Sequence, residues 1–293
     1  MVLLDGNELS ARIKEEIRAD VDQLIQSGRR PPHLAAVLVG EDPASHSYVG
    51  NKVKSCEFVG YQSTLIHKDA SLSQDALMQI IDGLNNDPEV DGFIVQLPLP
   101  KHLDTNTVTM AIRPEKDVDG FHPVNIGRMT IGLPAYLPAT PFGILQMLER
   151  YNIDISGKEC CILGRSNIVG TPMSILLSRK GNPGDATVTL CHSRTKDIPS
   201  KTRNADVIVA AMGIPHFVKG DMVKEGAVVI DVGINRIPAP ERKSGSRLVG
   251  DVDFEAVAPK CSYITPVPGG VGPMTVISLL MNTMKAYRKE VYV

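Results

Sequence analysis

Tyr48 and Lys52 combine a phenol and an ammonium group, both able to take part in acid–base chemistry. They are four residues apart, which places both on one face of the helix that Pro43 is expected to start. In a desolvated pocket beside a substrate, such a lysine can exchange a proton with the substrate or with water. Tyr and Lys at helical spacing are also common on solvated surfaces, so the pair alone leaves both interpretations open.

A third polar group, Gln96, ends the apolar run FIVQ, which is typical of a buried strand. In open α/β sheets, ligands bind at the carboxyl ends of the parallel strands. The helix of Tyr48 and Lys52 follows the first long apolar strand, HLAAVLVG. We therefore expect all three polar groups at one ligand-binding edge of a sheet.

Two carboxylates, Asp117 and Asp119, follow in the loop segment KDVDGF. A loop carboxylate is commonly a turn or cap residue. One that faces a cleft can instead bind the amidine-like edge of a heterocycle through paired hydrogen bonds. The residues alone leave both interpretations open.

A glycine-containing turn indicates a nucleotide cofactor. Gly164 ends the apolar run KECCILG, and Gly170 follows six residues later at an expected helix start, where free N–H groups and the helix dipole favour a phosphate. Ser166 stands where the usual dinucleotide loop has its middle glycine. The spacing favours a variant dinucleotide-binding turn, and an ordinary strand-to-helix turn is the alternative.

The end of the next strand, ATVTLCHSRT, indicates which dinucleotide would bind. An NAD enzyme usually presents Asp or Glu there to the ribose 2′-hydroxyl. This chain has His192, Ser193 and Arg194 instead, and Arg165 lies in the preceding loop. Because cationic and hydroxyl groups suit a 2′-phosphate, we predict NADP rather than NAD. Solvated residues at a strand end are the alternative interpretation.

The segment from Pro266 to Pro273, PVPGGVGP, has too much glycine and proline for a helix or a central strand. We expect a rigid loop that lets a ligand approach the backbone closely. The crowded proline-rich turns also lead us to predict cis peptide bonds before Pro98 and Pro268.

Metal binding and nucleophilic hydrolysis are not predicted. The histidines show no paired ligand spacing, so no metal site is expected. No GxSxG motif or Cys/His signature indicates a hydrolytic nucleophile. The histidines are His33, His46, His67, His102, His122, His192 and His216.

Strands and helices alternate along most of the chain, which predicts an α/β fold with mostly parallel sheets. The stretch Arg113–Gly143 is rich in proline and glycine and has no sustained period, so we expect a loop-rich crossing between two α/β domains. The first helix carries a stripe of apolar residues at spacings of three and four. The stripe consists of Leu9, Ile13, Ile17, Val21 and Leu24.

Composition excludes several kinds of partner. The 293 residues contain 31 Lys and Arg against 33 Asp and Glu, so no basic surplus exists to neutralise nucleic acid. Five cysteines without CxxC spacing indicate a reducing cytoplasm. No apolar run approaches the roughly 18 to 20 residues that cross a bilayer, and no signal peptide is evident. We expect a cytoplasmic protein that binds neither nucleic acid nor a membrane.

Nearly the whole chain resembles the bifunctional methylenetetrahydrofolate dehydrogenase/methenyltetrahydrofolate cyclohydrolase family. Several unrelated motifs follow that family's order and spacing. They are SHSYVGNKVKSCEFVG, DGFIVQLPLP, PEKDVDGFHPVNIGR, ATPFGI, GRSNIVGTP, DVGINR and PVPGGVGPMT. The resemblance implies a homodimer that oxidises 5,10-methylenetetrahydrofolate with NADP and hydrolyses the 5,10-methenyl product to 10-formyltetrahydrofolate.

The resemblance also implies roles for individual residues. Lys52 would handle the proton, with Tyr48 positioning the folate, Gln96 holding the lysine and Asp119 gripping the pterin. The other positions implied to line the folate site are Val49, Gly50, Asn51, Val95, Leu97, Pro268, Gly269, Gly270, Val271 and Gly272. The positions implied to bind NADP are Gly164, Arg165, Ser166, Ile168, Gly170, Ser193, Arg194 and Ile234.

On this basis we expect two α/β domains with a cleft between them. Residues 1–140 would form the folate-binding catalytic domain, and residues 141–275 a Rossmann-like NADP-binding domain. The C-terminal helix, residues 276–293, is expected to pack back on the first domain.

Other enzyme classes fit less well. Tyr48 and Lys52 imitate the Tyr-x-x-x-Lys pair of short-chain dehydrogenases, but in that class the dinucleotide loop precedes the pair. Here Gly164 follows the pair by more than a hundred residues. A dehydrogenase without cyclohydrolase activity and a catalytically silent folate- and NADP-binding protein remain as alternatives.

Overall fold

The computed structural model describes residues 1–240 and 245–292. Val293, the last residue of the expected C-terminal helix, therefore lies outside the described residues. The strands are β1 (Val2–Leu3), β2 (His33–Val39), β3 (Gln62–Lys68), β4 (Gly92–Val95), β5 (Glu159–Leu163), β6 (Thr187–Cys191), β7 (Val207–Ala210), β8 (Ala227–Asp231), β9 (Asn235–Pro238), β10 (Ser246–Val249) and β11 (Cys261–Ile264). The helices are α1 (Gly6–Gln26), α2 (Pro43–Val59), α3 (Gln74–Asn86), α4 (Thr105–Ala111), α5 (Pro123–Thr130), α6 (Ala139–Arg150), α7 (Gly170–Ser178), α8 (Ile198–Asn204), α9 (Phe254–Val257) and α10 (Val271–Tyr287).

The chain forms two compact units, each built from two separate segments. The large-sheet unit contains Met1–Ser10 and Thr140–Thr275. The small-sheet unit contains Ala11–Ala139 and the residues from Val276 onward. The division expected from the sequence places the N-terminal residues with the small-sheet unit, whereas Met1–Ser10 belong to the large-sheet unit. Strand β1 pairs with β11, and the N–H of Leu4 extends this pairing by donating to the carbonyl of Ile264 at 2.8 Å.

The large-sheet unit has a parallel sheet in the order β1-β11-β8-β7-β5-β6. The chain runs from β5 outward to β6, then returns to the other side of β5 with β7. Strand order therefore reverses between β5 and β7, and their carboxyl ends form the point where such sheets bind ligands. An antiparallel pair, β9 and β10, lies outside this sheet.

The small-sheet unit has a parallel sheet in the order β3-β2-β4. Every residue of β2 is buried, as expected for a central strand covered on both faces. Strand order reverses at β2, so the carboxyl ends of β2 and β4 define the ligand-binding edge. The apolar stripe predicted for the first helix is buried along its whole length, from Leu9 at 2% exposure to Leu24 at 8%.

The predicted fold class, two α/β domains of which the second is Rossmann-like, is confirmed. The structure differs in the stretch Arg113–Gly143, which contains helix α5 and the start of α6. Helix α5 begins with Pro123, and the side chain of His122 accepts a hydrogen bond from the N–H of Val124. With only eight residues, α5 is too short to produce a recognisable period.

The expected rigid loop from Pro266 to Pro273 is wrong in its second half, because α10 begins at Val271. Pro273 is tolerated there because the N–H groups of a first helical turn have no partner within the helix. The predicted cis peptide bonds before Pro98 and Pro268 are confirmed, and a further one, not predicted, precedes Pro183. Within residues 1–240 and 245–292, no helix is both long enough and apolar enough to cross a membrane.

Candidate active site

Helix α2 carries Tyr48 and Lys52 from the carboxyl end of β2. Its start is fixed by Asp42, whose carboxylate accepts a hydrogen bond from the N–H of Ser45 at 2.8 Å. It ends at Gly60, which adopts the left-handed conformation at φ 80° that suits glycine. Asp42 and Gly60 therefore define the two ends of the helix that carries Tyr48 and Lys52.

The ammonium group of Lys52 is held in place by Gln96. Lys52 is only 8% exposed, and its Nζ donates a hydrogen bond to Oε1 of Gln96 at 3.1 Å. The amide nitrogen of Gln96 donates in turn to the carbonyl oxygen of Leu97 at 2.6 Å, which fixes the amide with its oxygen toward the lysine. The structure therefore brings together the lysine and the amide that the sequence placed at one sheet edge.

Tyr48 lies one helical turn before Lys52 and is 41% exposed. Partial burial raises the pKa of the Tyr48 phenol, so the hydroxyl stays protonated at neutral pH. Val49, between them on the helix, is buried in the core at 1% exposure. Tyr48 and Lys52 are thus the side chains that share a face, whereas Gly50, two residues from each, projects from another.

Asp119 lies in the electrostatic field of Lys52. Burial raises the pKa of the Asp119 carboxyl, and the Lys52 ammonium acts in the opposite direction. The Asp119 backbone is fixed, since its carbonyl accepts a hydrogen bond from the N–H of Ala139 at 3.2 Å. At Gly120, φ is 74° and a Cβ atom would lie 2.5 Å from the carbonyl carbon of Leu137, so the turn after Asp119 requires glycine.

Asp117 acts as a turn residue, which is one of the two interpretations that the sequence left open for the loop carboxylates. It is 2% exposed and accepts hydrogen bonds from the N–H of His122 at 2.8 Å and from the amide of Asn125 at 2.9 Å. Burial raises the pKa of Asp117 to about 7. Asp117 and Asp119 also line a small cavity together with Val95 and Leu97 at the end of β4.

Sequence reasoning missed Asn282, which supports the turn that carries Asp119. This fully buried residue of α10 donates hydrogen bonds from one amide nitrogen to the carbonyls of Val118 at 2.8 Å and Leu137 at 2.9 Å. A single side chain thereby joins the backbone at Val118, directly before Asp119, to the backbone at Leu137. Helix α10 contains several other polar residues, so nothing in the sequence distinguishes Asn282.

The turn after β5 in the large-sheet unit has the close packing that a dinucleotide loop needs. Gly164 has φ 107°, and a Cβ atom there would lie 2.1 Å from the carbonyl oxygen of Ala211 after β7. A Cβ atom at Gly170 would lie 2.0 Å from the carbonyl oxygen of Gly164. Both glycines are therefore required at the strand-order reversal.

Ser166, in the place of the middle glycine, holds the turn that leads into α7. Its hydroxyl accepts a hydrogen bond from the N–H of Val169 at 3.1 Å, and its carbonyl accepts from Thr171 at 3.0 Å. The neighbouring candidate cofactor residues are all exposed and accessible to a ligand. They are Arg165, Ile168, Ser193, Arg194 and Ile234.

The segment Pro266–Gly270 belongs to the large-sheet unit. The carbonyl of Gly269, at φ 100°, accepts hydrogen bonds from the N–H groups of Gly6 at 2.8 Å and Asn7 at 3.2 Å, at the start of α1. A Cβ atom at Gly272 would lie 3.8 Å from Cδ1 of Ile234, so these two candidates are neighbours.

Two buried acids missed by sequence reasoning hold the carboxyl edge of the large sheet. Asp231, 4% exposed, accepts hydrogen bonds from the N–H groups of Asp251 and Val252, both at 2.9 Å. Asp251 accepts from the N–H groups of Met212 at 2.6 Å and Gly213 at 2.9 Å. Burial raises the pKa of Asp231 to about 6. The signal that could have found it is an acid directly after the apolar run AVVI.

Comparison with known proteins identifies the family. Residues 4–119 match the tetrahydrofolate dehydrogenase/cyclohydrolase catalytic domain, and residues 138–291 match the NAD(P)-binding domain of the same family. The bifunctional protein FolD of Bacteroides fragilis is 56% identical over 292 residues, which cover 100% of both chains.

Solved structures agree with this match. The bifunctional enzyme FolD of Campylobacter jejuni is 48% identical with a TM-score of 0.92 over 99% of both chains. The Trypanosoma brucei FolD, solved with NADP and an inhibitor, is 36% identical with a TM-score of 0.94 over 100% of this chain and 99% of that one. The chain therefore belongs to the tetrahydrofolate dehydrogenase/cyclohydrolase family, which confirms the resemblance found in its motifs.

Proposed function

We propose that the chain catalyses two successive steps on a one-carbon folate. It oxidises 5,10-methylenetetrahydrofolate to the 5,10-methenyl compound with NADP, then hydrolyses that compound to 10-formyltetrahydrofolate. The observation that carries this proposal is similarity along the full chain to bifunctional relatives, joined to a buried lysine held by an amide at the sheet edge.

The residues of the large-sheet unit fit NADP. Gly164 and Gly170 have no room for a Cβ atom, which gives the tight strand-to-helix turn of a dinucleotide-binding loop. Arg165, Ser193 and Arg194 would bind the 2′-phosphate, since guanidinium groups and hydroxyls donate hydrogen bonds to phosphate oxygens. NADP held there would supply the hydride acceptor for the oxidation.

Hydride transfer asks the protein chiefly for positioning. We assign this role to Tyr48, whose ring is exposed beside the lysine, and to Asp119, which binds the polar edge of the pterin. Val49, Gly50 and Asn51 form the turn of α2 between Tyr48 and Lys52, and we expect them to act through its backbone. The resemblance adds Pro268 to Gly272 to the residues that line the folate.

Hydrolysis also requires proton transfer. Water adds to the methenyl carbon and loses a proton. The hydroxyl so formed loses a second proton as the formyl C=O forms, N5 gains a proton when its bond to that carbon breaks, and one proton is released overall. We assign these transfers to Lys52, because it is a buried amine at the site and Gln96 is its one hydrogen-bond partner among the described residues. The lysine therefore serves the second reaction more than the first.

A dual assay tests the proposed function. The purified chain is supplied with methylenetetrahydrofolate and either NADP or NAD, and reduced cofactor is followed by absorbance. Hydrolysis is followed separately by the decay of added methenyltetrahydrofolate. We expect both activities, with NADP preferred. Oxidation without hydrolysis would indicate a dehydrogenase-only relative, and absence of both would indicate a silent folate-binding protein.

We further propose that the protein is a cytoplasmic homodimer. The resemblance implies the dimer, and the cysteines are all free and buried, which suits a reducing compartment. Analytical ultracentrifugation across a range of protein concentrations tests the dimer. A single species with the mass of one chain at every concentration would contradict it.

A further inference from the structure

Three potential metal ligands meet at the carboxyl edge of the small sheet, although their sequence spacing predicts no metal site. Glu41 follows β2 through Gly40, His46 lies in the first turns of α2, and His67 is near the end of β3. Their nearest ligand atoms all lie within 4.8 Å of one another. Three separate elements therefore converge on one point.

The separations between these atoms match those of ligands on one ion. Nε2 of His46 is 2.9 Å from one carboxylate oxygen of Glu41, and Nε2 of His67 is 3.1 Å from the other. In a tetrahedral zinc site with bonds of about 2.0 Å, neighbouring ligand atoms are roughly 3.3 Å apart. Nε2 of His67 also lies 3.1 Å from the carbonyl oxygen of Gly40, and it would exchange this hydrogen bond for the ion.

One ligand atom is shielded from solvent and poorly satisfied. Nε2 of His46 lies 2.9 Å from a carboxylate oxygen of Glu41 but makes no hydrogen bond of acceptable geometry among the described residues. Buried polar nitrogens normally make a well-formed hydrogen bond, so this nitrogen is a candidate metal ligand. The His46 and His67 rings stand edge to face with centroids 4.9 Å apart, so the two imidazoles are already in contact.

We propose that Glu41, His46 and His67 bind one Zn²⁺ ion, with water in the fourth position. Two imidazoles and one carboxylate are a ligand set that zinc accepts, whereas calcium and magnesium prefer oxygen ligands alone. None of the three ligands is among the residues assigned above to folate or NADP.

A bound ion would affect the start of α2. Glu41 directly precedes Asp42, the residue that caps this helix, and His46 lies within the helix. The ion would join both to β3 through His67, so that the segment carrying Tyr48 is tied to the sheet. Zinc binding is therefore expected to raise the unfolding temperature of the protein, because it stabilises the folded state alone.

The competing interpretation is a simple ion pair between Glu41 and a protonated histidine. Zinc titration separates the two, because an ion pair offers no affinity for metal. The full chain is freed of metal with a chelator and titrated with Zn²⁺ against a chromogenic indicator. We expect one ion per chain and at least tenfold weaker binding in His46→Gln and in His67→Gln.

His102→Gln is the matched control, because His102 is exposed and lies outside the cluster. Its zinc affinity should equal that of the parent. X-ray absorption of the zinc-loaded parent should show nitrogen and oxygen ligands and no sulfur. This second measurement does not depend on any variant being folded.

Three results would overturn the proposal. They are absence of binding at micromolar zinc, unchanged affinity in both folded histidine variants, and sulfur among the ligands. Folding of each variant is checked by circular dichroism, and Glu41→Gln replaces any variant that fails to fold.

Discussion

Lys52 differs from its neighbour Lys54 in its surroundings. Lys52 is 8% exposed and bonded to Gln96, whereas Lys54, on the same helix, is exposed to solvent. Burial and a fixed amide partner are what a proton-transferring lysine needs. We therefore expect only the first of these two lysines to matter for turnover.

Replacing Lys52 by Met should damage the two activities unequally. Cyclohydrolase activity should fall by two or more orders of magnitude, in line with the ~10² to 10⁴-fold contribution of a positioned acid or base. Dehydrogenase activity should suffer less, because hydride transfer depends on geometry. Both rates are measured for Lys52→Met and for Lys54→Met as the control.

Asp119→Ala provides the contrast, since loss of the pterin contact should weaken both steps together. The proposed roles would be misplaced if Lys52→Met hydrolysed the methenyl compound at the parental rate while Asp119→Ala bound folate normally.

Asp117 should make stability depend on pH. Its folded pKa of about 7 lies above the value of about 3.9 in an unfolded chain, so the folded state retains a proton that the unfolded state has lost. The free energy of unfolding should therefore fall as pH rises from 4 to 7, by up to about 4 kcal/mol from this residue. Urea unfolding of Asp117→Asn at several pH values should lack this component.

Asp22→Asn is the control for this series, because Asp22 is exposed on α1. Its pH dependence should match that of the parent. Equal slopes for Asp117→Asn and the parent would show that Asp117 titrates normally in the folded protein.

At the scale of single elements, two glycines inside helices have space for a side chain. A Cβ atom at Gly50 in α2 or at Gly83 in α3 would have no neighbouring atom within 4 Å. Glycine in a helix interior is less stable than alanine by about 0.5 to 1 kcal/mol. Both Gly50→Ala and Gly83→Ala should stabilise the protein by about this amount in denaturant unfolding.

Gly50→Ala also tests which face of α2 meets the folate. Because Gly50 does not share the face of Tyr48 and Lys52, its substitution should change the folate KM by less than about twofold. Gly83→Ala, on a different helix, should behave the same way. A large rise in the folate KM for Gly50→Ala alone would contradict this, because it would show that the folate contacts the face of α2 that carries Gly50.

Helices and strands with a regular pattern of apolar residues could be predicted from the sequence. Contacts between elements far apart in the sequence could not. The buried stripe of α1 and the apolar strand β2 follow from spacing alone. Helix α8 was missed because it has only seven residues and is started by local contacts, with Asp197 accepting from the N–H of Ser200.

The site shows the same limit. The sequence placed Lys52 and Gln96 at one sheet edge because strand ends meet there. It gave no sign of Asn282, whose hydrogen bonds reach residues more than 140 positions away. It also indicated no metal site, because Glu41, His46 and His67 come together only when β2, α2 and β3 are packed.

At the scale of the whole molecule, cofactor preference should depend on the charge beside the dinucleotide turn. Arg165→Ala should raise the KM for NADP at least tenfold, since a charge-assisted hydrogen bond contributes roughly 1.5 to 3 kcal/mol. The KM for NAD should change little, because NAD lacks the 2′-phosphate. Steady-state kinetics with both cofactors measure the difference.

Arg203→Ala is the control, because Arg203 is an exposed arginine of α8 in the same unit. It should leave both constants unchanged. Equal catalytic efficiency of the parent with NADP and NAD would overturn the assignment of a phosphate site.

Strand β1 pairs with β11. The first strand to be synthesised therefore cannot pair until one of the last strands has left the ribosome. Asn282 reaches the Asp119 turn still later in synthesis. Contacts so distant along the chain form slowly, since the intervening loop must close first. A chain that ended before α10 would contain every strand of both sheets, but it would lack the Asn282 side chain that holds the Asp119 turn. A late stop codon should therefore be as damaging to folate binding as a substitution in the site.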